Sequence, residues 1–174
     1  ILLALLPRER IAMLSQLAAD HTLSWAAARA EGIARFDGSV ERIVQLDPDL
    51  VLTGSQASLS SAAVLKRLGY RVETIAMPET IAASLAFIEQ TAVLLGEAGA
   101  GAELSRDTAR RLAAVRTAMA GRPRALGLIY LPNGLSPAPG SLKHELLAMA
   151  GFRNLAAERG LRGYGSITLE QLLI

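Results

Sequence analysis

The chain has 174 residues, of which 51% are hydrophobic and 20% are charged, and its formal net charge is +2. This balance is typical of a globular protein that buries a core, and it excludes a disordered chain. Only 4% of the residues are aromatic and no basic loop is interleaved with aromatic residues, which argues against nucleic-acid binding. Cysteine is absent, so disulfides, thiol catalysis and thiolate metal sites are excluded.

The first part of the chain alternates strand and helix patterns. The opening ILLALLP is too short for a signal-peptide core and indicates the end of a helix. A short buried strand is predicted at Arg10–Ser15. A helix is predicted to begin after Ser39, a hydroxyl N-cap with Glu41 in the first turn, and to end before Pro48.

The pattern then continues as strand, helix and strand. Leu50–Ser55 predicts a buried parallel strand that runs into a loop, and SAAVLKRLG predicts a helix closed by Gly69. The segment RVETIA predicts the next strand. This order of elements is typical of a parallel α/β unit, so residues 1–79 are predicted to form an N-terminal α/β lobe.

Residues 80–121 show sustained helical periodicity with no strand. The glycines of GEAGAGAE each cost about 1 kcal/mol inside a helix, so a bend is predicted there. In residues 122–174 the α/β pattern resumes with one clear strand, RALGLIYL, the helix LKHELLAMAG and a final helix from Thr168 that stops in mid-pattern. The prediction is two α/β lobes joined by a long helical connector, in a chain that is a piece of a longer protein.

Known catalytic motifs are missing or stand in the wrong context. GEAGAGAE follows a helix instead of a strand, so it does not fit a dinucleotide-binding fingerprint, and there is no nucleophile elbow or Walker loop. His21 and His144 are the only histidines, and no acidic residue is spaced to complete a metal site or a hydrolase triad with them. We therefore expect no catalysis, no metal and no cofactor.

The loops after the predicted strands hold scattered aromatic and polar residues. In open parallel sheets, ligands bind at the carboxyl ends of the strands. A set without an acid/base pair suits the binding of a bulky molecule, although each residue could equally be a loop residue that packs locally. The candidate ligand-binding residues are Trp25, Arg35, Phe36, Gln56, Asn133 and Tyr164, and Ser55 and Leu135 lie in the same loops.

One short sequence motif occurs twice. SVERI at Ser39 and TLEQL at Thr168 each place a glutamate, Glu41 or Glu170, two residues after a hydroxyl residue at a predicted helix start. A carboxylate in the first turn stabilises the helix dipole by roughly 0.3 to 1 kcal/mol, which is one explanation. The repetition in both lobes favours a second explanation, a shared docking function.

Four segments together carry a resemblance to a known family. They are SVERIVQLDPDLVLTGS, LKRLGYRVETI, PGSLKHELLAMAGFRNLA and GYGSITLEQLL. In this order they resemble the periplasmic substrate-binding proteins that feed ABC importers of cobalamin, ferric siderophores and haem. The resemblance covers essentially the whole chain.

The resemblance implies an α/β fold of two lobes with parallel sheets, bridged by a long helix, with the ligand held in a cleft between the lobes. It implies a non-enzymatic protein of the periplasm whose signal sequence lies outside this chain. Its ligand would be an iron complex, siderophore or haem, ahead of cobalamin. The competing class is an enzyme or cofactor-binding protein on a similar two-lobed scaffold.

The resemblance also implies a partner. In the family, a glutamate on each lobe pairs with arginines of the membrane permease, and these positions correspond to Glu41 and Glu170. The second lobe is truncated relative to the family. Either its last strands lie outside this chain, or the chain self-associates to cover the exposed sheet edge.

Overall fold

The computed structural model describes residues 1–55 and 59–172. They form two compact units, Ile1–Met77 and Pro78–Ile174. The helical segment 80–121 thus belongs to the same unit as the C-terminal strands. The division into 1–79, 80–121 and 122–174 stays a prediction.

The described part of the first unit, residues 1–55 and 59–77, contains short parallel strand pairs and three α-helices. Its helices are α1 (Leu2–Leu5), α2 (Val40–Leu46) and α3 (Leu59–Arg67), and its strands are β1 (Met13–Leu14), β2 (Ala34–Arg35), β3 (Val51–Gly54) and β4 (Val72–Ile75). Strands β1 and β2 pair in parallel, as do β3 and β4. The strand predicted at Arg10–Ser15 is present but is only two residues long.

Apolar residues from α2, α3 and β4 form a core in the first unit. Ile43, Leu65 and Val72 are buried against one another, and Phe36 and Tyr70 pack on them from the edge. Burying an aliphatic side chain of this size contributes about 1.5 to 3 kcal/mol, so these contacts hold the helices on the strands.

Helix α2 begins and ends as predicted. The Ser39 hydroxyl accepts a hydrogen bond from the backbone N–H of Arg42 at 3.1 Å, which confirms the N-cap. At the other end Asp47 has a left-handed backbone (φ 42°) and its N–H closes the last turn. Pro48 follows directly and cannot continue the helix.

In its described residues, 78–172, the second unit contains four α-helices and four strands. Its helices are α4 (Ile81–Leu94), α5 (Ala98–Met119), α6 (Leu142–Met149) and α7 (Leu155–Glu158), and its strands are β5 (Ala125–Gly127), β6 (Leu135–Pro137), β7 (Phe152–Asn154) and β8 (Tyr164–Ser166). Strands β5 and β7 pair in parallel, whereas β6 and β8 pair antiparallel. Ala138, Ala156 and Ile167 form a small buried core beside these strands.

The long helical segment is divided where the glycines predicted a bend. Helix α4 starts at the N-cap Thr80, whose hydroxyl accepts from the Ala83 N–H at 3.0 Å, and its last helical residue is Leu94. Helix α5 starts at Ala98 and packs against α4. The interface is tight, because Gly101 faces Ala92 with no room for a further methyl group. The single bent helix is therefore two helices that pack on each other.

Two expectations for the C-terminal part were wrong in detail. One strand was predicted, whereas the described residues of the unit form four, because β6 and β8 lie inside segments assigned to loops and β7 was not recognised. The final helix predicted from Thr168 is, within the described residues, a 3₁₀ turn at Glu170–Leu172. The α/β fold class with small parallel sheets and a long helix is confirmed.

Candidate functional site

The two repeated glutamates share one local geometry. Glu41 is exposed in the first turn of α2, and the Ser39 hydroxyl donates to its Oε2 at 3.0 Å. Its own backbone N–H, followed by the Ser39 hydroxyl, holds the pKa of Glu41 below its ordinary value. Glu41 is thus an ionised carboxylate that faces solvent at neutral pH.

Glu170 repeats this arrangement in the second unit. It is exposed, and the Thr168 hydroxyl, followed by its own backbone N–H, holds the pKa of Glu170 below its ordinary value. Thr168 and Gln171 cap each other, since the Thr168 N–H donates to Gln171 Oε1 at 2.9 Å and the Gln171 N–H donates to Thr168 Oγ1 at 3.4 Å. The repeated sequence motif therefore places an exposed carboxylate beside a hydroxyl in each unit.

Arg35 carries an unsatisfied donor in the first unit. It is the last residue of β2 and is only partly exposed. Its Nη2 lies 3.5 Å from the Ala30 carbonyl, the long limit of a hydrogen bond, and its Nε is buried without a partner in the described part of the chain. A buried N–H without an acceptor costs about 1 to 3 kcal/mol, so the hydrogen bonds of Arg35 are incomplete within the described part of its own unit.

The other ligand-binding candidates of the first unit differ in how much of the side chain is exposed. Trp25 is 82% exposed. Phe36 packs on the core of Ile43, Leu65 and Val72, and its carbonyl accepts from the side chain of Gln16 at 2.8 Å. Packing thus gives Phe36 a structural role. Gln56 lies outside the described residues.

Asn133 occupies a turn whose geometry favours its residue type. Asn133 and Gly134 both have positive φ, 64° and 74°, and the Leu135 N–H donates back to the Pro132 carbonyl. An Asn-Gly pair at the centre of such a turn is favoured because both residues tolerate the left-handed region. The turn explains Asn133 locally and leaves its side chain exposed.

Tyr164 is the candidate with a charged neighbour. It opens β8 opposite Pro137 and is 45% exposed. The ammonium Nζ of Lys143 lies over its ring, 5.6 Å from the centroid. Because Asn133 precedes β6 and Tyr164 begins the antiparallel β8, the two lie toward opposite ends of the strand pair. The structure brings together Tyr164 and Lys143, a residue that the sequence reasoning missed.

His144 has a partner that the sequence did not indicate. The Asn154 side-chain oxygen accepts from the Ala156 N–H at 3.0 Å, which caps α7 and fixes the orientation of the amide. Its amide nitrogen therefore points to the Pro137 carbonyl at 2.8 Å and to Nδ1 of His144 at 3.0 Å. Both donors of Asn154 are used, so His144 Nδ1 accepts and His144 has a structural role.

The described residues contain neither a cluster of metal-ligating side chains nor a membrane-spanning helix. In residues 1–55 and 59–172 no group of three or more His, Cys, Asp or Glu side chains is arranged to hold a metal ion. None of the helices in this part of the chain has the length and apolar character of a membrane span.

The described residues define a two-unit α/β protein with small parallel sheets and a long helix, in which exposed polar and aromatic side chains lie near the strand ends. The chain belongs to the periplasmic binding protein family, whose model matches residues 17–173. A search by sequence among curated proteins finds no significant match.

Solved structures share the fold. A possible iron-binding periplasmic solute-binding protein from Staphylococcus epidermidis ATCC 12228 is 15% identical, with a TM-score of 0.77 over 93% of this chain and 64% of its own. The periplasmic haem-binding protein BhuT, in complex with two haems, is 26% identical, with a TM-score of 0.66 over 88% of this chain and 62% of its own. The periplasmic vitamin B12 binding protein BtuF of Vibrio cholerae is 20% identical, with a TM-score of 0.61 over 93% of this chain and 63% of its own. The chain thus spans less than two thirds of the length of each.

Proposed function

We propose that the protein is the solute-binding component of an ABC importer in the periplasm, and that it binds an iron complex, siderophore or haem, or cobalamin. The observation that carries the proposal is the family match over residues 17–173, together with similar structures of haem-binding, iron-binding and vitamin B12 binding proteins. The role is capture and delivery without catalysis.

The unsatisfied donor of Arg35 supports an anionic ligand. A guanidinium binds carboxylates and phosphates through charge-assisted hydrogen bonds, which are about twice as strong as neutral ones. Arg35 is partly exposed and its Nη2 makes only a long hydrogen bond of 3.5 Å to the Ala30 carbonyl, so a ligand oxygen offers it a better acceptor. This favours an iron complex or haem over cobalamin. In this proposal the candidate ligand contacts are Trp25, Arg35, Asn133 and Tyr164, together with the partly exposed surface of Phe36.

The exposed carboxylates support delivery to a membrane permease. Each unit presents one glutamate beside a hydroxyl that keeps it ionised, Glu41 in the first and Glu170 in the second. Charge pairs at the rim of an interface mainly set orientation and association rate. We assign these two glutamates to permease docking.

A titration of the single tryptophan tests the ligand class. Trp25 is largely exposed, so a chromophoric ligand that binds nearby will quench its fluorescence. We expect haemin, a ferric siderophore or cyanocobalamin to bind with a Kd of about 1 μM or tighter, which corresponds to about 8 kcal/mol. N-acetyltryptophanamide at the same absorbance corrects for light absorbed by the ligand.

Native mass spectrometry of the purified protein independently identifies any ligand that co-purifies with it. A co-purifying corrinoid or iron chelate supports the proposal. A retained nucleotide, or the failure of all three ligands to bind below about 100 μM, contradicts it.

A further inference from the structure

Lys143 and Tyr164 form an exposed cation and aromatic pair in the second unit. The Lys143 ammonium lies 5.6 Å from the centroid of the Tyr164 ring, within the range of a cation–π contact. Lys143 is exposed and Tyr164 is 45% exposed, so both remain accessible to a ligand. Such a contact at an exposed site is weak enough to be exchanged for a ligand contact.

Helix stability does not explain Lys143. It is the second residue of α6, whose N-cap is Ser141, and the positive end of the helix dipole lies there. A cation at this end opposes the dipole, whereas a carboxylate would be favoured. In the described part of the chain Lys143 makes no ion pair with a carboxylate that would offset this cost.

Backbone hydrogen bonds hold the two residues in place. The Ala138 N–H donates to the Gly163 carbonyl and the Gly163 N–H donates to the Pro139 carbonyl, both at 2.8 Å. These bonds tie the loop before α6 to the residue just before Tyr164. The backbone segments that carry the two residues are therefore held next to each other, so a ligand that contacts both does not have to bring these segments together.

We propose that Lys143 is a specificity-determining residue that pairs with an anionic group of the ligand while the Tyr164 ring contacts the ligand's conjugated surface. This inference rests on the proposed function and narrows its ligand to a negatively charged conjugated molecule. Haem with its carboxylates and a ferric tris-catecholate share this chemistry. Cyanocobalamin has no net negative charge and serves as the discriminating ligand.

Lys143→Met tests the charge with little change in side-chain length. We expect the Kd for haemin, or for a ferric tris-catecholate, to rise about 5- to 10-fold, as for the loss of roughly 1 kcal/mol of charge attraction. Lys143→Arg keeps the charge and should stay within about 2-fold of the parent chain. The effect of Lys143→Met should shrink as salt rises, because salt screens an exposed charge.

Lys66→Met is the matched control, since Lys66 is the only other lysine of the chain and lies in the last turn of α3 in the first unit. It removes the same charge and should leave the Kd unchanged. A double-mutant cycle with Tyr164→Ala adds a second measurement, in which the effect of Lys143→Met should fall when the ring is absent. Thermal melts show that each variant is folded.

The outcomes separate the two proposals. If the chain binds an anionic probe and Lys143→Met acts no more strongly than Lys66→Met, the assignment of Lys143 is overturned and the proposed function stands. The same holds if cyanocobalamin is the only probe that binds. If none of the probes binds, the proposed function fails and the assignment of Lys143 fails with it.

Discussion

At the scale of single residues, the repeated hydroxyl and glutamate pairs perform two tasks at once. Ser39 satisfies a backbone N–H at the start of α2 and also donates to Glu41. Thr168 caps the turn that carries Glu170 and lowers its pKa. In each unit one hydroxyl therefore fixes the backbone and keeps the neighbouring carboxylate ionised. The two explanations of the repeated motif, helix stabilisation and docking, are thus compatible.

Ser39→Ala removes both hydrogen bonds of the hydroxyl, and its comparison with Ser39→Asp separates the two tasks. It removes the side-chain cap of α2, so the free energy of unfolding should fall by about 1 kcal/mol. Urea denaturation followed by circular dichroism measures this change. Ser39→Asp, which restores a capping oxygen, should recover most of the loss. Equal losses for both variants would contradict a capping role.

The same variant has a predicted pH signature. The pKa of Glu41 lies below its ordinary value of 4.5, so its ionised form stabilises the fold above that value. The contribution is lost as pH falls through the lowered pKa. In Ser39→Ala the pKa of Glu41 should rise toward 4.5, because one hydrogen bond to the carboxylate is gone. An NMR titration of the Glu41 carboxyl carbon gives both values, and an unchanged pKa would contradict the role of Ser39.

At the scale of elements, α4 and α5 pack through small residues. Ala92 and Thr91 of α4 and Ser105 of α5 are buried, and Gly101 lies directly against Ala92. A Cβ at position 101 would overlap the Ala92 Cβ. The glycine that weakens α5 as a helix is thus required for the close approach of the two helices.

Gly101→Ala and Gly99→Ala form a matched pair in one helix. Alanine favours the helix by about 1 kcal/mol over glycine, and at position 99 nothing lies within 4 Å of the added methyl. Gly99→Ala should therefore stabilise the protein by about 0.5 to 1 kcal/mol. Gly101→Ala should destabilise it by about 1 to 2 kcal/mol, because overpacking outweighs the helix preference. Thermal unfolding measures both, and equal shifts would contradict close packing at Gly101.

Local patterns predicted the helices better than the strands. The cap at Ser39 is set by neighbouring residues, so it could be found from the sequence. The pairing of Leu135–Pro137 with Tyr164–Ser166 could not, because each segment is three residues long, contains proline or glycine, and gains its hydrogen bonds from a partner nearly thirty residues away. Such strands exist only through tertiary contact.

At the scale of the whole molecule, some residues of the proposed ligand site could be selected because they follow predicted strands. Lys143 could not be selected in this way. Arg35 was selected as a loop residue after the predicted strand Arg10–Ser15, by the rule that ligands bind at the carboxyl ends of parallel strands, whereas β2, which contains it, was not predicted. Its role as a ligand contact stays a prediction. Lys143 was missed because it looks like an ordinary charge on a helix surface. Its contact with Tyr164 depends on the unpredicted strand pair. The one signal available was a cation in the first turn of a helix, against the dipole.

The docking assignment predicts that ligand binding and permease binding separate. In the full-length protein, Glu41→Gln combined with Glu170→Gln should leave the ligand Kd within about 2-fold. Affinity for a reconstituted permease should fall about 10- to 30-fold, since each exposed ion pair contributes up to about 1 kcal/mol. Biolayer interferometry at low and high salt measures this loss, which salt should reduce.

Glu9→Gln combined with Glu103→Gln is the control, because it removes the same charge at other exposed sites and should have little effect on permease binding. A collapse of ligand affinity in the first double variant would place the glutamates in the ligand site instead.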